Sequence, residues 1–110
     1  GDDEGHLMDL VERFVMNVND ASVPLSDTCM SFLDEDMWVC EDISNRVRTL
    51  GETVMVSDYY MNDMDELVVE MTFYKGDVIV TMFMLTLTVN DDNPLAVDSL
   101  EWVESAAQDN

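Results

Sequence analysis

The sequence predicts a single α+β domain over residues 1–110: an N-terminal helix and a short second helix packed on a mostly antiparallel sheet of about five strands. Three observations carry that expectation. Apolar residues near the start recur at helical spacing, those beyond residue 53 alternate or run together in β-branched and aromatic stretches, and turn-forming residues punctuate the second half. With 47% hydrophobic residues in 110, the chain is long and apolar enough to bury a core, so its acidity belongs to a folded surface.

The first helix rests on Leu7, Leu10, Val11, Phe14, Val15 and Val18, which share one helical face, and is expected from about residue 5 to residue 18. Residues 19–24 read as a loop. Ser26 or Asp27 then caps a short helical turn through Cys29, Met30 and Leu33. From Met37 to Ile43 the apolar residues alternate or adjoin, and Trp38 and Val39 favour a short strand. Ile43, Val47 and Leu50 return to helical spacing, with Gly51 as the stop. Thr53 to Tyr60 form a strand, Asp63 to Glu66 a polar turn, and Leu67 to Tyr74 a strand of strict alternation. Lys75-Gly76-Asp77 closes a hairpin. Residues 78–89 are apolar or Thr almost throughout, which predicts a central strand covered on both faces. A turn over 90–94 leads to a last strand or short helix over 95–103.

Charge is the dominant property. Four Lys and Arg stand against 25 Asp and Glu, a net charge of −21. Duplex DNA carries one phosphate per roughly 1.7 Å of axis, so the same charge occupies about 36 Å of duplex, close to the diameter of about 34 Å expected for a compact domain of this length. Self-repulsion at that density destabilises the compact state, so the charge serves either solubility in brine or recognition of a basic partner. Binding to nucleic acid or to an anionic membrane is excluded on sign. No apolar run approaches the roughly 18 residues of a membrane span, and the first residues lack a signal-peptide pattern. A cytoplasmic protein is expected, with Cys29 and Cys40 as reduced thiols, since their spacing matches neither a metal site nor a redox motif.

Little in the chain points to catalysis. His6 is the only histidine and lies near the terminus; no nucleophile-elbow Ser, phosphate-binding Gly loop or zinc-like cluster is present. No enzyme activity, metal or cofactor is expected. Asp58 and Glu70 remain as candidate bases of the buried-carboxylate kind, although a solvated face explains them equally well. The acidic stretches 62–66 and 90–93 lack the ordered ligands, central Gly and closing Glu of an EF-hand. Met55, Met71, Met82 and Met84 fall in strands, where they fill a core or line a pocket for a partner's side chain.

Trp38-Val39-Cys40-Glu41-Asp42-Ile43 resembles the Trp-x-Cys-Glu-Ser-Ile stretch of one branch of phage-type uracil-DNA glycosylase inhibitors, small acidic proteins that mimic DNA. Val54 to Tyr59, the acidic turn to Glu66, and Leu67-Val68-Val69 are similar to that family's second strand, acidic loop and third strand, so the likeness spans roughly residues 36–74. It implies that Glu41 and Asp42 open the first strand and enter an enzyme's DNA-binding groove in place of phosphates. It also implies an apolar pocket for a probing leucine, lined by Ile43, Val47, Val54, Val69 and Met71. The family's second helix is acidic, whereas this one carries Arg46 and Arg48, so either these arginines point away from a basic groove or the target is a different DNA-binding protein. The expected function is therefore a DNA-mimic inhibitor of a DNA-acting enzyme such as uracil-DNA glycosylase, with Glu41, Asp42, Asp58, Asp63, Asp65 and Glu66 as phosphate surrogates. The alternative is a halophilic, cone-shaped α+β ligand-binding or isomerase-like domain with Asp58 as its base.

Overall fold

The computed structural model describes residues 2–30, 37–89 and 97–105. Helices α1 (Asp2–Asn19), α2 (Leu25–Met30) and α3 (Met37–Ser44) come first; α3 runs on into a π-helical turn, Asn45–Thr49. Strands β1 (Thr53–Met61), β2 (Leu67–Lys75), β3 (Val78–Val89) and β4 (Val97–Glu104) follow as an antiparallel meander in the order β1-β2-β3-β4. The α+β class and the N-terminal helix are as expected. The acidic and Lys75-Gly76-Asp77 turns close the first two hairpins, and 97–104 is a strand rather than a helix. Leu33 and the turn at 90–94 lie outside the described residues.

All three helices lie on one face of the sheet. Leu7, Val11, Phe14 and Val18 of α1 and Val39, Cys40 and Ile43 of α3 are buried against Val54, Leu67, Val69, Met71, Phe73, Leu85 and Leu87. Those strand residues are the inward half of each alternation. The resulting slab measures 37 × 33 × 20 Å. Its short dimension is that of one helix layer on one sheet.

Three expectations need correction here. Residues 37–43 form helix, not strand. Val39, Cys40 and Ile43 are all fully buried while Trp38 and Glu41 are exposed, an i, i+1, i+4 face that a contiguous apolar run conceals in the sequence. The described sheet therefore has four strands. Second, Cys29 and Cys40 are joined in a disulfide, with Cα atoms 5.6 Å apart, so neither is a free thiol. The packing of α2 against α3 brings together two residues that their spacing alone does not relate. Third, β3 is interior to the sheet but not covered along its whole length: the consecutive residues Val78, Ile79 and Val80 at its hairpin end, before its pairing with β4 begins at Phe83, are exposed.

The arginines have local duties. Arg48 donates from Nε to the Val18 carbonyl at 3.1 Å, from Nη2 to the Asn17 and Asp20 carbonyls, each at 2.8 Å, and from Nη1 to the Val23 carbonyl. It thus caps the end of α1 and ties down the loop to α2, as a second donor to the Asn17 and Asp20 carbonyls, which also accept from the Asp20 and Val23 N–H groups. Arg46 turns inward. Its guanidinium lies 5.4 and 5.0 Å from the ring centroids of Phe73 and Phe83, and Nη1 is 3.4 Å from Oε1 of the buried Glu52. Gly51, at φ 78°, follows the π-helical turn that carries both arginines, at a position where a side chain would be strained.

Candidate partner-binding surface

The six carboxylates singled out in the sequence fall into three places. Glu41 and Asp42 lie in the second half of α3, so they do not open a strand. Glu41 is exposed at the rim of a cleft between α2 and α3, beside Leu25, Cys29, Ser44 and Thr49. Asp42 is half-buried and accepts a 2.7 Å hydrogen bond from the indole Nε1–H of Trp102. That ring stacks on Phe83 at 4.5 Å, so Asp42 fastens α3 to β4 as well as carrying charge.

Asp63, Asp65 and Glu66 occupy the β1–β2 turn. Asn62 shapes it: its Oδ1 accepts from the main-chain N–H groups of Met64 and Glu66, each at 2.9 Å, and its Nδ2–H donates to Glu66 Oε1 at 2.8 Å. Asp65 takes φ 61°, which an Asx side chain tolerates. Asp63 and Asp65 are exposed.

Asp58 is exposed at a bulge on edge strand β1, where its Oδ1 accepts from the Tyr59 N–H at 2.8 Å. It stands directly opposite Glu70. This side of the sheet faces away from the helices, whereas Asp42 and Trp102 are on the helix side. The bulge also brings Ser57 to Glu70, whose Oε1 accepts from the Ser57 hydroxyl at 2.9 Å. Exposure distinguishes Asp58 from a base held in an apolar pocket, so its position gives the isomerase-like alternative no support.

The apolar set fills the core. Ile43, Val54, Val69 and Met71 are fully buried and Val47 is half-buried, packed among Phe73, Leu85 and the helices. Among the described residues they form a packed interior, and of the five only Val54 borders a surface cleft, between α1 and β1. Exposed apolar residues of the sheet occur on both faces: Tyr59 and Val78, opposed to Val69 and Lys75, are on the helix side, and Met55, Tyr60 and Val103 are on the other. Residues opposed in the ladders share a face, which gives three successive rows there: Met55–Thr72–Met82, Asp58–Glu70–Met84–Val103 and Tyr60–Val68–Thr86–Glu101. Met55, Tyr60 and Val103 are half or more exposed. Among the described residues no helix crosses this face, and no Lys or Arg stands in these rows. Alternation in β2 was the signal that could have located it, because Val68, Glu70, Thr72 and Tyr74 are the half of that strand opposite the core.

The basic residues are elsewhere. Arg46 and Arg48 are engaged as described, and Arg13 pairs with Asp9 at 2.6 Å on the exposed side of α1. Lys75 is at the β2–β3 hairpin. His6 is exposed on α1. Among the described residues no three His, Cys, Asp or Glu side chains converge as a metal-binding group, and no helix is long and apolar enough to cross a membrane. Comparison with known protein families, with curated proteins and with solved structures finds no match to this chain.

Proposed function

We propose that this protein is a DNA mimic: it presents carboxylates to the basic groove of a DNA-acting enzyme and blocks it, with a uracil-DNA glycosylase as the first target to test. The observation that carries this reading is the disposition of charge. A net charge of −21 sits on a body 37 Å long, against about 22 phosphates on the same length of duplex. Two of the three arginines, Arg46 and Arg48, are drawn into the fold. The repulsion that Arg46 and Arg48 would present to a basic groove is thereby removed, and the remaining surface attracts cationic proteins over a Debye length of about 8 Å at physiological salt.

Glu41 on α3, Asp58 on β1, and Asp63 and Asp65 in the β1–β2 turn are the exposed phosphate surrogates; Asp42 and Glu66 are partly committed to Trp102 and Asn62. The reading is tested by measuring uracil excision from duplex DNA with the protein in excess. Loss of excision that is restored by raising the salt supports it; excision at full rate contradicts the glycosylase assignment. Glu41→Gln is the cleaner probe of a phosphate-like contact, because replacing Asp42 also releases the Trp102 indole.

One observation favours a second reading. Exposed carboxylates occur on every layer: Asp9 and Glu12 on α1, Asp27 on α2, Glu41 on α3, Asp63 and Asp77 in the first two hairpin turns and Glu101 on β4. Solubility in brine needs such coverage, without a track. Circular dichroism in dilute buffer and in molar salt separates the two, since a halophilic protein unfolds as screening is withdrawn and a mimic stays folded.

A further inference from the structure

We infer that the face of the sheet away from the helices, which no helix among the described residues crosses, is the docking surface, and that its occupant is a cationic protein segment carrying apolar side chains among its Lys or Arg residues. This rests on the reading above that the partner is a basic protein. It places the apolar anchor on the opposite side of the sheet from the packed core between helices and strands.

The central row carries the argument. Asp58 and Glu70 are directly opposed on β1 and β2, and Met84 and Val103 continue the same line on β3 and β4. Like charges directly opposed across strands destabilise a sheet, and no Lys or Arg among the described residues relieves this pair. Ser57 helps to hold Glu70 by donating its hydroxyl to Oε1, but it brings no charge. A cation from outside would neutralise the repulsion. At a strand spacing of about 4.8 Å, Met84 is roughly 10 Å from Asp58 along the row, within reach of an apolar side chain on the same segment. Met55 and Tyr60 on β1 and Val103 on β4 leave about half of their surface in water at the edges of this face, which also carry Asp58 and Glu101; between them Met82 and Met84 are half-buried and Val68, Thr72 and Thr86 are buried.

Charge selects the occupant. A second copy would bring another −21 and the same acidic margins, and nucleic acid or an anionic membrane is repelled alike. A polypeptide with cations flanking apolar residues complements both features: the carboxylates steer the encounter and the apolar contact slows release.

The test uses the full chain with methionines labelled at the ε-methyl carbon, and two synthetic peptides of equal length and charge, a Lys-Leu repeat and a Lys-Ser repeat. The Lys-Leu peptide is expected to bind at least about tenfold more tightly and to shift the Met55, Met82 and Met84 methyl signals, leaving Met16 on α1 unmoved. The double substitution Met55→Glu with Val103→Glu is expected to abolish that preference although it makes the protein more acidic. Met16→Glu and Leu25→Glu, on α1 and at the α2–α3 cleft, are expected to preserve it. Equal affinity for the two peptides, shifts of Met16 as large as those of Met84, or full binding by the double variant each overturn the inference. Failure of the mimic reading is a separate result: the peptide still lands on the sheet, but the protein does not displace DNA from a basic enzyme.

Discussion

Arg48 makes hydrogen bonds to four main-chain carbonyls, and it is the residue on which the helix layer most visibly depends. Truncation to Ala leaves the end of α1 uncapped and frees the loop to α2. Arg48→Ala is expected to cost about 2–3 kcal/mol in urea unfolding, and Arg48→Lys to recover only part of it, because an ammonium cannot reproduce the planar fork. Glu70 has the opposite sign. Its position opposite Asp58 destabilises the sheet, so Glu70→Gln is expected to raise stability by up to about 1 kcal/mol in the same measurement, while weakening attachment to a cationic partner. Asp20 supplies a pH dependence. Its carboxylate accepts from the Ser22 hydroxyl at 2.7 Å and the Ser22 N–H at 3.0 Å, which holds its pKa below the ordinary value, with Arg48 contributing further. A lowered folded-state pKa gives stability that is present above the unfolded carboxylate's pKa and lost as pH falls through the folded one. Asp20→Asn is therefore expected to flatten the acid limb of a stability–pH profile.

Among the elements, α1, β1 and β2 were legible in the sequence because the residues that meet across the core recur regularly, at period 3.6 for Leu7 to Val18 and period 2 for Leu67 to Phe73, and β3 was legible as a long apolar run bounded by turns. Helix α3 was not. Its apolar residues adjoin Trp38 and Met37, so the run suits a strand as well as a helix, and the deciding fact, that Val39, Cys40 and Ile43 share a buried face, is tertiary. The likeness to glycosylase inhibitors rested on this same stretch and assigned it to a first strand. Only the residue types, not that setting, survive in the fold. The candidate site was legible in part. The acidic turn and Asp58 were found from charge, whereas the pocket residues were chosen for being apolar, which cannot separate a packed core from an open face. The Cys29–Cys40 bridge joins α2 to α3 across a sequence separation of 11. Closing a loop of that length constrains the unfolded chain by about 3 kcal/mol. Native protein is expected to show no thiol reactive to a colorimetric reagent until reduced, and Cys29→Ser with Cys40→Ser to lower stability by about that amount.

At the scale of the whole molecule, a thin slab presents two unlike surfaces. The helix layer buries its apolar stripes and carries scattered carboxylates, while the sheet's other side sets Met, Val and Tyr residues beside Asp58, Glu70 and Glu101. Arg46, half-buried against Phe73 and Phe83, and Arg48, half-buried against the end of α1, are engaged within the fold, which leaves the outer surface predominantly acidic. Electrostatic steering of this kind raises association rates and is lost with salt, whereas an apolar anchor governs dissociation and is far less salt-sensitive. The most direct test of the central claim is competition for a basic DNA-binding enzyme, a uracil-DNA glycosylase first, followed by the anisotropy of a fluorescent duplex bound to it. The duplex is expected to be released as the protein is added, at one protein per enzyme, with an affinity that falls steeply as salt rises. A duplex that stays bound at saturating protein and low salt, across basic enzymes that grip DNA, would contradict DNA mimicry.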